Sequence, residues 1–176
     1  MSVINIRMSN CYMEETIVFT ILFVCTGNTC RSPMAWAIAE GILSQKDAAK
    51  KVRIISAGTS VIPDSKAADF AIEVMEERGL DLKKHVARQL TPELIDEADL
   101  ILTMTGNHKH HILAVAPYVQ EKVFTLKEYA NSSAYQDIYD PIGQPTSAYK
   151  ECANELEFHI RAILEKNIND LIISRN

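Results

Sequence analysis

The sequence predicts an α/β fold: a single doubly wound domain whose four-stranded parallel sheet carries helices on both faces, with a phosphate-binding loop after the first strand. Three observations predict it. Short apolar, β-rich runs alternate with segments of helical spacing, the pattern of parallel strands joined by crossover helices. The first run stops at a cysteine, and a short stretch of small polar residues then leads directly into a helical pattern. The chain has 176 residues, the size of one ordinary domain with a good core.

The elements follow in order. Residues 1–15 have no clear period and read as an N-terminal extension; residues 16–176 read as one domain. Ile17 to Val24 is an apolar, β-rich run interrupted only by Thr20, as expected of a buried strand. Pro33 to Gln45 has Met34, Ala37, Ile38, Gly41 and Ile42 at helical spacing. Val52 to Ala57 reads as a second strand ended by Gly58, and Lys66 to Arg78 as a helix stopped by Gly79. Thr91-Pro92 begins a short helix, Glu93 to Glu97, before a third strand, Leu100 to Met104. Asn107 to Val115 is helical, Val123 to Leu126 is the fourth strand, and 129–146 is a long polar loop. A last helix runs from Ser147 to about Ile172, with a bend expected near Asn167 and Asn169.

Composition narrows the function. A hydrophobic content of 47% with 23% charged residues is that of a globular protein. The net charge of −5 provides no basic field for nucleic acid. An anionic ligand must therefore be held by a local site. Four cysteines, Cys11, Cys25, Cys30 and Cys152, are too few and too dispersed to form a disulfide scaffold in this length. No apolar run approaches the roughly 20 residues of a membrane span. Glu14 and Glu15 precede the first apolar run, unlike the basic start of a secretory leader, so the cytoplasm is the expected compartment. No feature sets an oligomeric state, and a monomer is the default expectation.

The chemistry concentrates in residues 24–34, Val-Cys-Thr-Gly-Asn-Thr-Cys-Arg-Ser-Pro-Met. Cys25 closes the first strand, and Arg31 follows after five residues, at the start of a helix. Such a turn aims the amides of Thr26, Gly27, Asn28, Thr29, Cys30 and Arg31, together with a helix N-terminus, at one point, which makes an anion site. The same field favours a thiolate, so Cys25 is expected to be a nucleophile near neutral pH. The planar fork of Arg31 suits two phosphate oxygens. Ser32 is expected to donate to the thiolate and to cap the helix, with Pro33 in the first turn. Asn28 tolerates a left-handed backbone and can brace the loop. A nucleotide-binding loop fits less well, because that motif needs two glycines and a lysine and only Gly27 is present.

These residues resemble the signature of the low-molecular-weight protein tyrosine phosphatase family, and within it are most similar to the bacterial protein-arginine-phosphatase branch. The resemblance runs from about Ile17 to the C-terminus and includes Ser56-Ala57-Gly58-Thr59, His85 to Thr91, Ala98 to Met104 and Asp140-Pro141. It implies a phosphocysteine intermediate on Cys25, phosphorylated proteins as substrates, and neither metal nor cofactor. It also implies that Asp140, in Asp-Ile-Tyr-Asp-Pro-Ile-Gly, is the general acid and then the general base. Pro141 holds Asp140 out of helical conformation. Asp137 either holds a substrate guanidinium, tunes Asp140, or is a solvated turn residue. Cys30 shares the loop with Cys25, and the resemblance implies a reversible redox role for the pair; a small packing residue is the alternative.

Departures from the tyrosine-specific pattern bear on the substrate. The resemblance implies a bulky aliphatic residue in tyrosine-specific members where Thr29 stands, and aromatic residues after the Asp-Pro, where Ile142 and Gly143 stand. A hydroxyl suits a hydrogen-bonding guanidinium better than a phenyl ring. Phosphoarginine is therefore the expected substrate, with phosphotyrosine as the alternative. An arsenate reductase would need two further mid-chain cysteines, and none lies between Cys30 and Cys152. A non-catalytic phosphate-binding or redox-sensing module would have no use for both Cys25 and Asp140. His108, His110 and His111 do not converge on a metal site, since adjacent helical residues point to different faces. His85 and Trp36 read as structural.

Overall fold

A computed structural model describes residues 18–45, 51–131 and 137–166. Among these residues four strands, β1 (Phe19–Cys25), β2 (Val52–Gly58), β3 (Leu100–Thr103) and β4 (Val123–Thr125), form one sheet in the order β2-β1-β3-β4. All three pairings are parallel, and Cys25 lies opposite Gly58. Every residue of β1 is buried, as a central strand covered on both faces requires.

Alternate residues of β1 feed two cores. Phe19, Ile21 and Phe23 pack with α1 (Arg31–Leu43), α2 (Asp69–Glu76) and α6 (Thr146–Lys166) on one face. Leu22 and Val24 pack with Ile95 of α3 (Pro92–Glu97) and Ile112 of α4 (Gly106–Val115) on the other. This is the expected doubly wound sheet. The neighbours of β1 diverge at its carboxyl end, to β2 on one side and β3 on the other, and ligands bind at such switch points.

Several boundaries differ from the sequence expectation. α2 starts at Asp69 because Lys66 is drawn into a bridge with Val86. It ends before Gly79, whose φ of 73° reverses the chain and lets the Leu80 amide bond Met75 O. The fourth strand stops at Thr125, where a capping box between Thr125 and Glu128 starts a short α5 (Leu126–Tyr129). The extension 1–15 with Cys11, residue Ile17, and the end of the last helix with its bend lie outside the described residues. So does the stretch 132–136 of the polar loop. Among the described residues no helix is long and apolar enough to cross a membrane.

Candidate active site

The loop after β1 turns its carbonyls outward. Cys25 O accepts from Thr59 N, Thr26 O from Ser60 N, Thr29 O from Ala68 N and Cys30 O from Met34 N, at 2.8 to 3.1 Å. Asn28 O bonds His85 Nε2 at 2.8 Å. A planar trans peptide points its N–H opposite to its C=O. The amides of Thr26, Gly27, Thr29, Cys30 and Arg31 therefore face the concavity around Cys25. The N-terminus of the 13-residue α1 adds its dipole to the same point.

Asn28 holds the turn. Its φ of 53° is left-handed and it is fully buried. Its Nδ2 donates to Ser32 Oγ at 2.8 Å and to Ser56 Oγ at 3.0 Å. Its Oδ1 accepts from Arg88 N at 2.8 Å. Ser32 Oγ lies 3.0 Å from Cys25 Sγ and 3.3 Å from Ala57 O. With its oxygen taken by Asn28, the Ser32 hydroxyl has its hydrogen left for the sulfur or for Ala57 O. The expected capping role of Ser32 is overturned: α1 starts at Arg31 with Cys30 as N-cap and no side-chain cap bond, because the hydroxyl is used in this network. Pro33 is the third residue of the first turn, where its missing N–H leaves no bond unmade.

Gly58 permits the close approach of β2. A Cβ there would lie 2.4 Å from Thr26 O and 2.9 Å from Asn28 N. Arg31 is buried; one Nη donates to Ile138 O at 3.2 Å and the other is paired with Asp140. Asp140 in turn accepts from Ile142 N at 3.2 Å. Its loop is pinned to the end of β3 by Ile138 N to Met104 O at 2.8 Å. A second pin runs from Gly106 N to Asp137 Oδ1, at 2.7 Å. So the structure brings Cys25, Arg31, Ser32 and Asp140 together and gives Asp137 an anchoring bond. Thr29 is half-exposed, whereas Tyr139 and Ile142 beside Asp140 are exposed.

Cys30 is buried, 3.6 Å from Tyr149 Oη and 3.6 Å from Thr29 Oγ1. Burial outweighs these hydrogen bonds and holds its thiol above the ordinary range. Cys152 lies in the core and is pushed up to about 12 by burial, which makes it an inert thiol.

Sequence reasoning missed the part of His108. It is buried, and its Nε2 lies 2.9 Å from Thr26 Oγ1 while its Nδ1 lies 2.8 Å from Thr105 Oγ1. A neutral imidazole offers one donor and one acceptor, which suits two hydroxyls. Burial, then Arg31, lowers its pKa to about 4. The local signal was Thr105, three residues earlier, which caps α4. His110 bonds Gly106 O within its own helix. Among the described residues no cluster of three His, Cys, Asp or Glu is placed to hold a metal.

Comparison with known proteins agrees with this geometry. The model of the family described as low molecular weight phosphotyrosine protein phosphatase matches residues 20–171. The chain is 42% identical over 146 residues to a protein-arginine-phosphatase of Bacillus subtilis, spanning 83% of this chain and 95% of that one. It is 40% identical over 148 residues to a protein-arginine-phosphatase of Geobacillus stearothermophilus, spanning 84% and 95%. The structure of a YwlE arginine phosphatase mutant with a phosphorylated active-site serine is similar, with a TM-score of 0.81, 40% identity and coverage of 86% and 97%. The tyrosine phosphatase Wzb from Escherichia coli in complex with sulphate has a TM-score of 0.74, 31% identity and coverage of 85% and 99%.

Proposed function

The chain belongs to the low molecular weight phosphotyrosine protein phosphatase family, and on that premise we propose that it hydrolyses phosphoarginine side chains of proteins through a phosphocysteine on Cys25. The observation that carries the chemistry is the loop itself. Inward amides face Cys25 Sγ, and Arg31, held by Asp140 and Ile138 O at the start of the following helix, joins them in stabilising the equatorial oxygens of a transferring phosphoryl group. The sulfur attacks phosphorus and the P–N bond breaks, while Asp140 gives its proton to the departing guanidine nitrogen. An entering phosphoryl group draws Arg31 onto its own oxygens and releases Asp140 for this task. In the second half, the Asp140 carboxylate takes a proton from water. The water oxygen bonds phosphorus, the S–P bond breaks, and the Ser32 hydroxyl stabilises the thiolate that leaves.

Phosphoarginine is favoured by the hydroxyl of Thr29 in the loop and by the aliphatic Ile142 after Asp140-Pro141. Two of the relatives compared are protein-arginine-phosphatases. Asp137 offers its Oδ2 to the substrate guanidinium. Phosphotyrosine is the second reading, favoured by the exposed ring of Tyr139 beside Asp140. Cys25 and Cys30 form a reversible disulfide when a peroxide-type oxidant removes two electrons, and a thiol reductant restores them. Such a cycle suits a cytoplasmic enzyme.

Parallel assays of phosphate release from a phosphoarginine protein and a phosphotyrosine peptide test the substrate. The wild-type protein is expected to prefer phosphoarginine in kcat/KM, and Thr29→Ile to lose most of that preference. A tyrosine preference in the wild type would refute the substrate assignment and leave the phosphocysteine chemistry standing.

A further inference from the structure

Behind the catalytic loop, along the free edge of β2, lies a cavity of about 610 Å³. Small-molecule sites occupy roughly 300 to 1,000 Å³. Among the described residues no strand pairs with this side of β2. At Gly58 the chain itself covers the edge, through Gly58 N to Arg88 O at 2.9 Å and Leu90 N to Gly58 O at 2.8 Å. The cavity opens where that cover ends, at Ile54, Ile55 and Ser56.

Its lining is of two kinds. Trp36 of α1, with Ile54, Ile55 and Val86, provides an apolar wall, and Trp36 is only half-buried while Val86 is 55% exposed. A planar ring suits such a wall. Lys84 and Arg88 add two cations, and among the described residues neither is in an ion pair. Asp81 opposes them, but its Oδ1 accepts from Lys83 N at 2.8 Å. His85 is kept neutral by burial, which lowers its pKa. The balance is one net positive charge beside an apolar wall.

Three lining residues also hold the catalytic loop. Ser56 Oγ, His85 Nε2 and Arg88 N each bond Asn28, the residue that keeps the loop in its left-handed turn. All the lining residues lie outside residues 25–32. We infer that this cavity binds a small planar aromatic carboxylate, and that its occupancy is coupled through Asn28 to oxyanion binding in the catalytic loop. Linkage makes the coupling reciprocal: each ligand changes the affinity of the other by one factor.

The probe is naphthoate, whose carboxylate lacks the tetrahedral oxygens that the catalytic loop surrounds. Trp36 is the chain's sole tryptophan, so its indole N–H gives one identifiable resonance in a proton–nitrogen correlation spectrum. The expected result with the full chain is a saturable shift of that resonance that persists in saturating inorganic phosphate. Lys84→Glu is expected to weaken naphthoate about tenfold, or roughly 1.4 kcal/mol, and to leave turnover without naphthoate unchanged. Naphthoate is further expected to change the phosphate inhibition constant by the factor by which phosphate changes the naphthoate dissociation constant. An unmoved Trp36 resonance overturns the site. So does a shift abolished by phosphate, which would place naphthoate in the catalytic loop, or one indifferent to Lys84→Glu. Equal naphthoate constants with and without phosphate overturn the coupling. Only the coupling rests on the phosphatase reading, and the Trp36 response without phosphate tests the cavity alone.

Discussion

Asn28 ties the loop to its surroundings. It takes the left-handed turn that most residues resist, and its amide spends both ends on neighbours: Nδ2 on Ser32 and Ser56, Oδ1 on the Arg88 amide. Asn28→Ala leaves the Arg88 N–H without its acceptor, a loss of roughly 1 to 3 kcal/mol, and adds about 1 kcal/mol of backbone strain. We expect thermal unfolding to report a loss on the order of 2 to 4 kcal/mol, with kcat falling because Ser32 is no longer aimed at Cys25. Asn28→Asp keeps the acceptor but points a second oxygen at two hydroxyls and brings a negative charge beside the sulfur. That variant is expected to fold better than Asn28→Ala and to be at least as inactive. The grouping of Cys25, Arg31 and Asn28 was legible in the sequence because they lie within one loop, where spacing and backbone preference are local. His108 was not, since the hydroxyl it braces, on Thr26, lies 82 residues away in the chain.

The elements meet most tightly where β2 passes under the loop. Gly58→Ala puts a Cβ against Thr26 O and Asn28 N, both backbone atoms that cannot turn aside. Overpacking of this kind costs about 1 to 3 kcal/mol. We expect Gly58→Ala to lower stability by that order and to reduce kcat by about tenfold or more, because the atoms that must move carry the inward amides. Unchanged kcat with lowered stability would show that the loop keeps its shape independently of β2. The order of the four strands and the two strand ends at the site were legible, β1 as an apolar run stopped at Cys25 and β2 as a run ended by Gly58. The ends of α2 and the whole of α5 were not. Lys66 was taken from α2 by a tertiary bridge to Val86, and the apolar run into Leu126 masked the Thr125–Glu128 box. Asp140 was legible only through the family resemblance, because an Asp-Pro in a polar loop has no periodic pattern to mark it.

For the whole molecule, the buried His108 links catalysis-ready geometry to acid stability. Its folded pKa is about 4 against an ordinary 6.5, so on acidification the unfolded chain takes up this proton first. The stabilisation is full above pH 6.5 and is lost as pH falls from 6.5 toward 4. The size expected is on the order of 3 kcal/mol. His85 and His159, also lowered by burial, act in the same direction. We expect the wild-type protein to lose that much more stability over this interval than His108→Gln, measured by denaturant titration at each pH. Parallel slopes for the two proteins would mean that His108 titrates like an exposed histidine.

In the proposed reaction a phosphoryl group passes through Cys25 and is released with the help of Asp140. Rapid mixing of Asp140→Asn protein with a phosphoarginine protein, followed by an acid quench and peptide mass spectrometry, tests it most directly. The expected result is a single phosphoryl group on the peptide containing Cys25, slow to form because the leaving nitrogen has lost its proton donor and slow to clear because water has lost its base, and none in a Cys25→Ala control. Phosphate released at an undiminished rate with no phosphoryl on Cys25, or a phosphoryl group that persists in the Cys25→Ala protein, would contradict it.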